Sequence, residues 1–118
     1  MQASAGYMVV LCNPRGSSGR EESWGQAILG PKHPIRPGLG WGSVDVDDVL
    51  AALDEALRRF PCADASRQGM IGGSYGGYMA AWVLGHTDRF KCIIDHAGVN
   101  SSYAQYASDV PHGFPLVM

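Results

Sequence analysis

Five consecutive residues, Gly72-Gly73-Ser74-Tyr75-Gly76, carry the chemistry that is readable from this chain. They fit G-x-S-x-G. That pattern has meaning only where a strand enters it and a helix leaves it, so that a serine stands on a sharp turn at the carboxyl edge of a sheet. A side chain two residues before or after such a turn would crowd it, which predicts that Gly72 and Gly76 must both be minimal. Gly73 and Gly77 relax the packing further. The turn would lift the Ser74 hydroxyl clear of the sheet as a nucleophile. It would also aim the Tyr75 backbone N–H at a developing oxyanion. A phosphate-binding loop fits worse, because there is no G-K-[ST] and the spacing is not G-x-G-x-x-G.

A serine hydroxyl needs a base and an acid that orients the base. After Ser74 the candidates are Asp88, Asp95 and Asp109, with His86, His96 and His112. Asp95 and His96 are neighbours at a predicted strand tip, where successive side chains point apart, so they cannot stack as acid and base. His86 reads as a helix C-cap, and His33 as a loop residue preceding the serine. His112 falls in a Pro-Gly tail. The economical reading is that base and acid are absent from this stretch. The three cysteines, Cys12, Cys62 and Cys92, form no CxxC pair, so neither a metal site nor a cofactor is expected. Cys12 and Cys92 sit in apolar runs and are expected to be small buried hydrophobes. Reduced thiols point to a cytoplasmic setting.

The elements that must position Ser74 follow from the pattern of apolar residues. Tyr7 to Cys12 is a continuous apolar run, as in a strand buried on both faces. Arg15 to Gly42 is a long irregular stretch rich in glycine and proline, with a short helix near Glu21–Leu29. Arg15 is expected to be salt-bridged within it, and Trp24 and Trp41 to serve packing. Val46, Val49, Leu50, Leu53, Leu57 and Phe60 recur at spacings of three and four, the stripe of an amphipathic helix. Asp45 is its expected N-cap, and Pro61 stops it. Gln68–Ile71 is a short strand, Tyr75–His86 a second helix burying Met79, Trp82 and Val83, and Cys92–Ile94 another strand. Ser102–Ser108 makes one or two helical turns. The order is βαβαβ, the mark of a parallel α/β sheet.

Composition agrees. The 118 residues include 16 glycines, with 46% hydrophobic and 17% charged residues. That is a folded chain and not a disordered one. A net charge of −2 without a basic patch gives no nucleic-acid partner, and no apolar run is long enough to span a membrane.

Gly72-Gly-Ser-Tyr-Gly-Gly-Tyr-Met79 resembles the nucleophile segment of the prolyl oligopeptidase family of serine peptidases. The resemblance extends to Gly6-Tyr-Met-Val-Val-Leu-Cys-Asn-Pro-Arg-Gly-Ser17, to Asp45-Val-Asp-Asp48, to Asp64-Ala-Ser-Arg67 and to Gly85-His-Thr-Asp-Arg-Phe-Lys91, and so covers residues 5–110. It implies a partial α/β-hydrolase fold. This is a mostly parallel sheet with flanking helices, three layers α/β/α, truncated at both ends. Residues 1–118 would be the central part of the catalytic domain. It further implies a short peptide substrate, an acyl-enzyme on Ser74 and an oxyanion bond from the Tyr75 N–H. Val99, Tyr103 and Tyr106 would contribute to the S1 pocket. The partners implied are the remainder of the hydrolase domain and an upstream β-propeller. The family's His-Gly-Gly-Pro oxyanion segment has no match here, and its later Asp and His would lie beyond Met118. The competing readings are an esterase or lipase that shares the elbow, and a catalytically inert or binding piece.

Overall fold

A computed structural model describes residues 2–34 and 36–108. The fold rests on the apolar stripe of the first long helix. In α2, Val44–Arg59, the residues Val46, Val49 and Leu50 turn one face inward, where Val46 joins Met79 and Val83 as the buried core. Met79 and Val83 come from α3, Tyr75–Leu84, at a spacing of four that puts both on one helix face. Met70 and Ile93 press on this core from the sheet below. Trp82 is only partly buried. The stripe on α2 ends sooner than its periodicity predicts. Phe60 sits beyond the last helical residue, is 50% exposed and leaves the core to residues further up the helix.

The sheet consists of β1, Gly69–Gly73, and β2, Cys92–His96, paired in parallel. Its register sets Met70 beside Ile93, Ile71 beside Ile94 and Gly73 beside His96. Alternation along each strand decides the faces. Met70 and Ile93 meet the helices, whereas Ile71 and Ile94 lie on the far side, 56% and 46% exposed. The two strands and the helix between them form a β-α-β unit, preceded by α2 and by the short α1, Glu22–Gln26, and followed by α4, Ser102–Ser108.

Three expectations need correction. Tyr7–Cys12 forms no strand among the described residues, and Tyr7 through Leu11 are exposed. An apolar run becomes a strand only when a neighbour supplies ladder hydrogen bonds, and the described ladder pairs β1 with β2 alone. Cys12 and Cys92 are exposed, as is Cys62. Cys12 belongs to that unpaired segment, and Cys92 alternates onto the open sheet face with Ile94. Finally, Asp45 is not the N-cap of α2. Ser43 holds that position, and Asp45 lies inside the first turn with its carboxylate turned back into the protein.

The long stretch before α2 is held by specific bonds. Arg15 grips Asp48 of α2 through its backbone N–H and its guanidinium, at 2.7 to 2.8 Å. The Trp24 indole donates to the Pro14 carbonyl at 2.9 Å. The chain folds back on itself between Ala27 and Gly40 through Gly38 N–H to Gly30 O and Gly40 N–H to Leu29 O. No helix among the described residues is long and apolar enough to cross a membrane.

Candidate active site

Ser74 stands between the last residue of β1 and the first of α3, and it is exposed. Its backbone has φ 55° and ψ −115°. A side-chain-bearing residue seldom adopts such a conformation, which is stable only where the surroundings enforce it. Here both backbone groups of Ser74 are committed. Its N–H donates to the carbonyl of His96 at 3.0 Å. Its carbonyl accepts from Gly77 and Tyr78, the usual first-turn bonds, and also from Val99 N–H at 3.2 Å. The turn is therefore bound to α3 on one side and to the segment after β2 on the other.

The glycines around the serine differ in why they are there. A Cβ on Gly72 would come within 1.8 Å of the Gly76 carbonyl oxygen, so the backbone itself excludes any side chain. A Cβ on Gly76 would meet nothing within 4 Å, and the expectation that both positions must be minimal holds for one of them. Gly77 carries the second steric demand. Its Cβ would lie 2.4 Å from Asp95 Oδ1 and 2.5 Å from the Gly98 Cα. That close approach lets α3 settle against the loop that follows β2. Asp95 fills the gap between Gly77 and Gly98 and accepts a hydrogen bond from Asn100 Nδ2 at 2.6 Å.

Tyr75 is held from its side chain. Its hydroxyl donates to Asp45 Oδ2. Asp45 is fully buried, and its carboxylate also accepts from the Gly42 N–H at 3.1 Å and the Ser43 N–H at 2.6 Å. A buried carboxylate is tolerable only when its oxygens are satisfied in this way. Burial, and then the hydrogen bond and charge of Asp45, push the Tyr75 phenol well above its ordinary value. Tyr78 is raised for the same two reasons, burial first and the Asp45 charge second. Trp41 stacks edge-on against Tyr75, with ring centres 4.9 Å apart and planes at 88°. It also lies 5.3 Å from the Tyr78 ring. Gly42, at φ +80°, passes so close beneath Trp82 that a Cβ would come 2.5 Å from its indole nitrogen. A cleft of about 290 Å³ opens beside Tyr75 and Trp41 and is floored by Arg15, Gly16 and Ile28.

The other expected residues are distributed unevenly. Val99 is half-buried and reaches Ser74 through its backbone. Tyr103 lies on α4 and is 89% exposed. The side chain of Tyr106, together with Asp109 and His112, lies outside the described residues. His86 accepts its expected place at a helix end: its Nδ1 is 2.7 Å from the Trp82 carbonyl, and its ring stacks on Trp82 at 3.6 Å. The His33 ring contacts the Arg36 N–H at 3.4 Å. His96 meets Ser74 through its carbonyl, which is occupied by the Ser74 amide. No described histidine ring is hydrogen-bonded to the Ser74 hydroxyl. Asp45 is the residue that the sequence reading misplaced. It occurs among three aspartates at a helix start, and nothing in their order marks the one that turns inward.

A sequence model of the prolyl oligopeptidase family matches residues 1–112. The chain is 40% identical over 99 residues, 84% of its length, to an uncharacterized peptidase, YuxL, of Bacillus subtilis. It is 35% identical over 109 residues, 92% of its length, to dipeptidyl-peptidase 5 of Porphyromonas gingivalis. Among solved structures it is similar to the acylaminoacyl peptidase of Pyrococcus horikoshii, with a TM-score of 0.68 and 37% identity over 80% of this chain and 14% of that one. The chain spans 14% of the length of each of the two curated relatives.

Proposed function

This chain belongs to the prolyl oligopeptidase family, and we propose that it carries the nucleophile of a serine-type peptidase acting on short peptides. The observation that carries the reading is Ser74 itself, exposed at φ 55° between a strand and a helix. In this reading the Ser74 Oγ attacks the scissile carbonyl carbon as its proton passes to a histidine base. The Tyr75 N–H, at the open first turn of α3, donates to the oxyanion that forms. Collapse of the tetrahedral intermediate breaks the C–N bond and returns the proton to the leaving amine. Water then attacks the acyl-enzyme with the same base and releases the acid.

The base and its acid come from the rest of the full-length protein, which is also where an upstream β-propeller belongs. The chain covers only 14% of each of two curated relatives, and the propeller is proposed from the family resemblance alone. Val99, bound to the Ser74 carbonyl, is proposed as the near wall of the S1 pocket, with Tyr103 and Tyr106 further along the same segment. The test is Ser74→Ala in the full-length protein. Peptide hydrolysis and labelling by a fluorophosphonate probe should both be lost while the circular dichroism spectrum is unchanged. Hydrolysis near the wild-type rate would remove Ser74 from the mechanism.

A further inference from the structure

Asp45 and Tyr75 are 30 residues apart, yet the fully buried carboxylate of one receives the hydroxyl of the other. Asp45 is not a simple helix cap. Its Oδ1 is taken by the Ser43 N–H, and its Oδ2 is shared by the Gly42 N–H and the Tyr75 hydroxyl. The carboxylate thus joins the loop before α2, the start of α2 and the first residue of α3. Trp41, from the same loop, closes on the Tyr75 ring at 4.9 Å. The residue so gripped is the one whose backbone N–H follows the serine. In that same peptide the Ser74 carbonyl accepts from the Gly77, Tyr78 and Val99 N–H groups, while the preceding peptide is held by the Ser74 N–H donating to the His96 carbonyl.

From this we propose that Asp45 is a positioning residue for the oxyanion donor: through the Tyr75 hydroxyl it fixes the orientation of the Ser74–Tyr75 peptide. The inference rests on the reading of Ser74 as the nucleophile. Its physical basis is that a preorganised donor stabilises charge without having to reorient as that charge appears. A small displacement of such a group costs rate even when the chemistry lies elsewhere. With its hydroxyl held by Asp45 and its ring against Trp41, the Tyr75 side chain limits the movement of the Cα to which its backbone N–H is attached. No other described contact ties α2 to the residue after the serine through a side-chain hydrogen bond.

The experiment compares Tyr75→Phe, Asp45→Asn and the double variant in the full-length protein, with rates normalised to titrated active sites. Tyr75→Phe should lower kcat about tenfold and leave KM within about twofold, as expected when an interaction made in the transition state is loosened. Affinity for a peptide aldehyde, which forms a tetrahedral adduct on the serine, should fall by the same factor as kcat/KM. A purely structural role would lower thermal stability without moving these per-site constants. The double variant should lose no more than the worse single variant, because both remove one coupling. If Asp45→Asn does not fold, Tyr75→Phe decides the question alone. A kcat within twofold of wild type for Tyr75→Phe overturns the role of Asp45, provided Ser74→Ala is inactive. Activity surviving in Ser74→Ala overturns the reading beneath it.

Discussion

The Ser74 amide donates to the His96 carbonyl at 3.0 Å, directly above the last paired rung of the sheet, Gly73 beside His96. The two residues that follow this rung, Ser74 and Ala97, are the non-glycine residues with positive φ among the described residues, at 55° and 49°. Both strands therefore turn out of the sheet at the same level, side by side. The serine is exposed at the rim of the sheet.

Ala97 should tolerate glycine better than a strand-adjacent alanine ordinarily would. A left-handed alanine costs roughly 1–2 kcal/mol relative to a right-handed one, and glycine avoids that penalty at the expense of backbone entropy. Ala97→Gly is expected to be neutral or to stabilise by up to about 1 kcal/mol. Urea denaturation of the full-length protein checks it. A loss of more than about 1 kcal/mol would mean that the alanine methyl packs usefully despite its backbone.

The two outer glycines of the motif should part company. Gly72→Ala drives a methyl into the Gly76 carbonyl, and this atom cannot swing away as a side chain would. Overpacking of this kind costs about 1–3 kcal/mol, occasionally more. Gly76→Ala adds a methyl in open space, on a helix where alanine is favoured by about 1 kcal/mol over glycine. Thermal melting should therefore rank the proteins Gly76→Ala, wild type, Gly72→Ala in falling order of stability.

Acid should weaken the attachment of the long loop to α2. The Arg15 guanidinium, donating to Asp48, holds that carboxyl below its ordinary range. A carboxylate with a depressed folded value contributes stability above its unfolded pKa of about 3.9 and loses it as pH falls through the folded value. Asp48→Asn should remove that pH-dependent contribution. The variant's stability should then change less than that of wild type between pH 5 and pH 3, measured by denaturant midpoints.

Alkali should act through Tyr75. Its folded value lies well above that of a free phenol, because burial and Asp45 both oppose the phenolate. The sign follows from proton counting. Stability from this group is complete below about pH 10, where the unfolded phenol begins to ionise, and declines as pH rises toward the folded value. Tyr75→Phe should lessen that decline, leaving the part due to the raised Tyr78 phenol, while the neutral-pH stability falls by about 1 kcal/mol for the lost hydrogen bond. Ultraviolet titration of phenolate should show one fewer late-ionising tyrosine in the variant.

Much of this architecture is legible in periodicity. The stripe Val46, Val49, Leu50 announces α2, the strand-turn-helix context of Ser74 is present, and His86 sits at its helix end. Arg15 proves to be salt-bridged, but to Asp48 of α2 and not within its own loop. What is not legible depends on partners distant in the chain. Tyr7–Cys12 has the composition of a buried strand, but composition does not state who will pair with it. The inward turn of Asp45 depends on Tyr75, 30 residues later, and on a left-handed Gly42. The freedom at Gly76 is equally invisible, because a motif records which residues occur and not which of them are sterically compelled.

Ile71 and Ile94 stand beside one another on the sheet face away from α3, and both are about half exposed. Covering a side chain of that size stabilises a protein by about 1.5–3 kcal/mol. Holding a residue in the conformation of Ser74 costs about 1–3 kcal/mol. The two quantities are of one size, and the residues involved share the same two strands. The strands that lead into the Ser74 and Ala97 turns therefore carry an uncovered apolar pair on their far face. Apolar cover laid over Ile71 and Ile94 would stabilise the same two strands from which those turns depart.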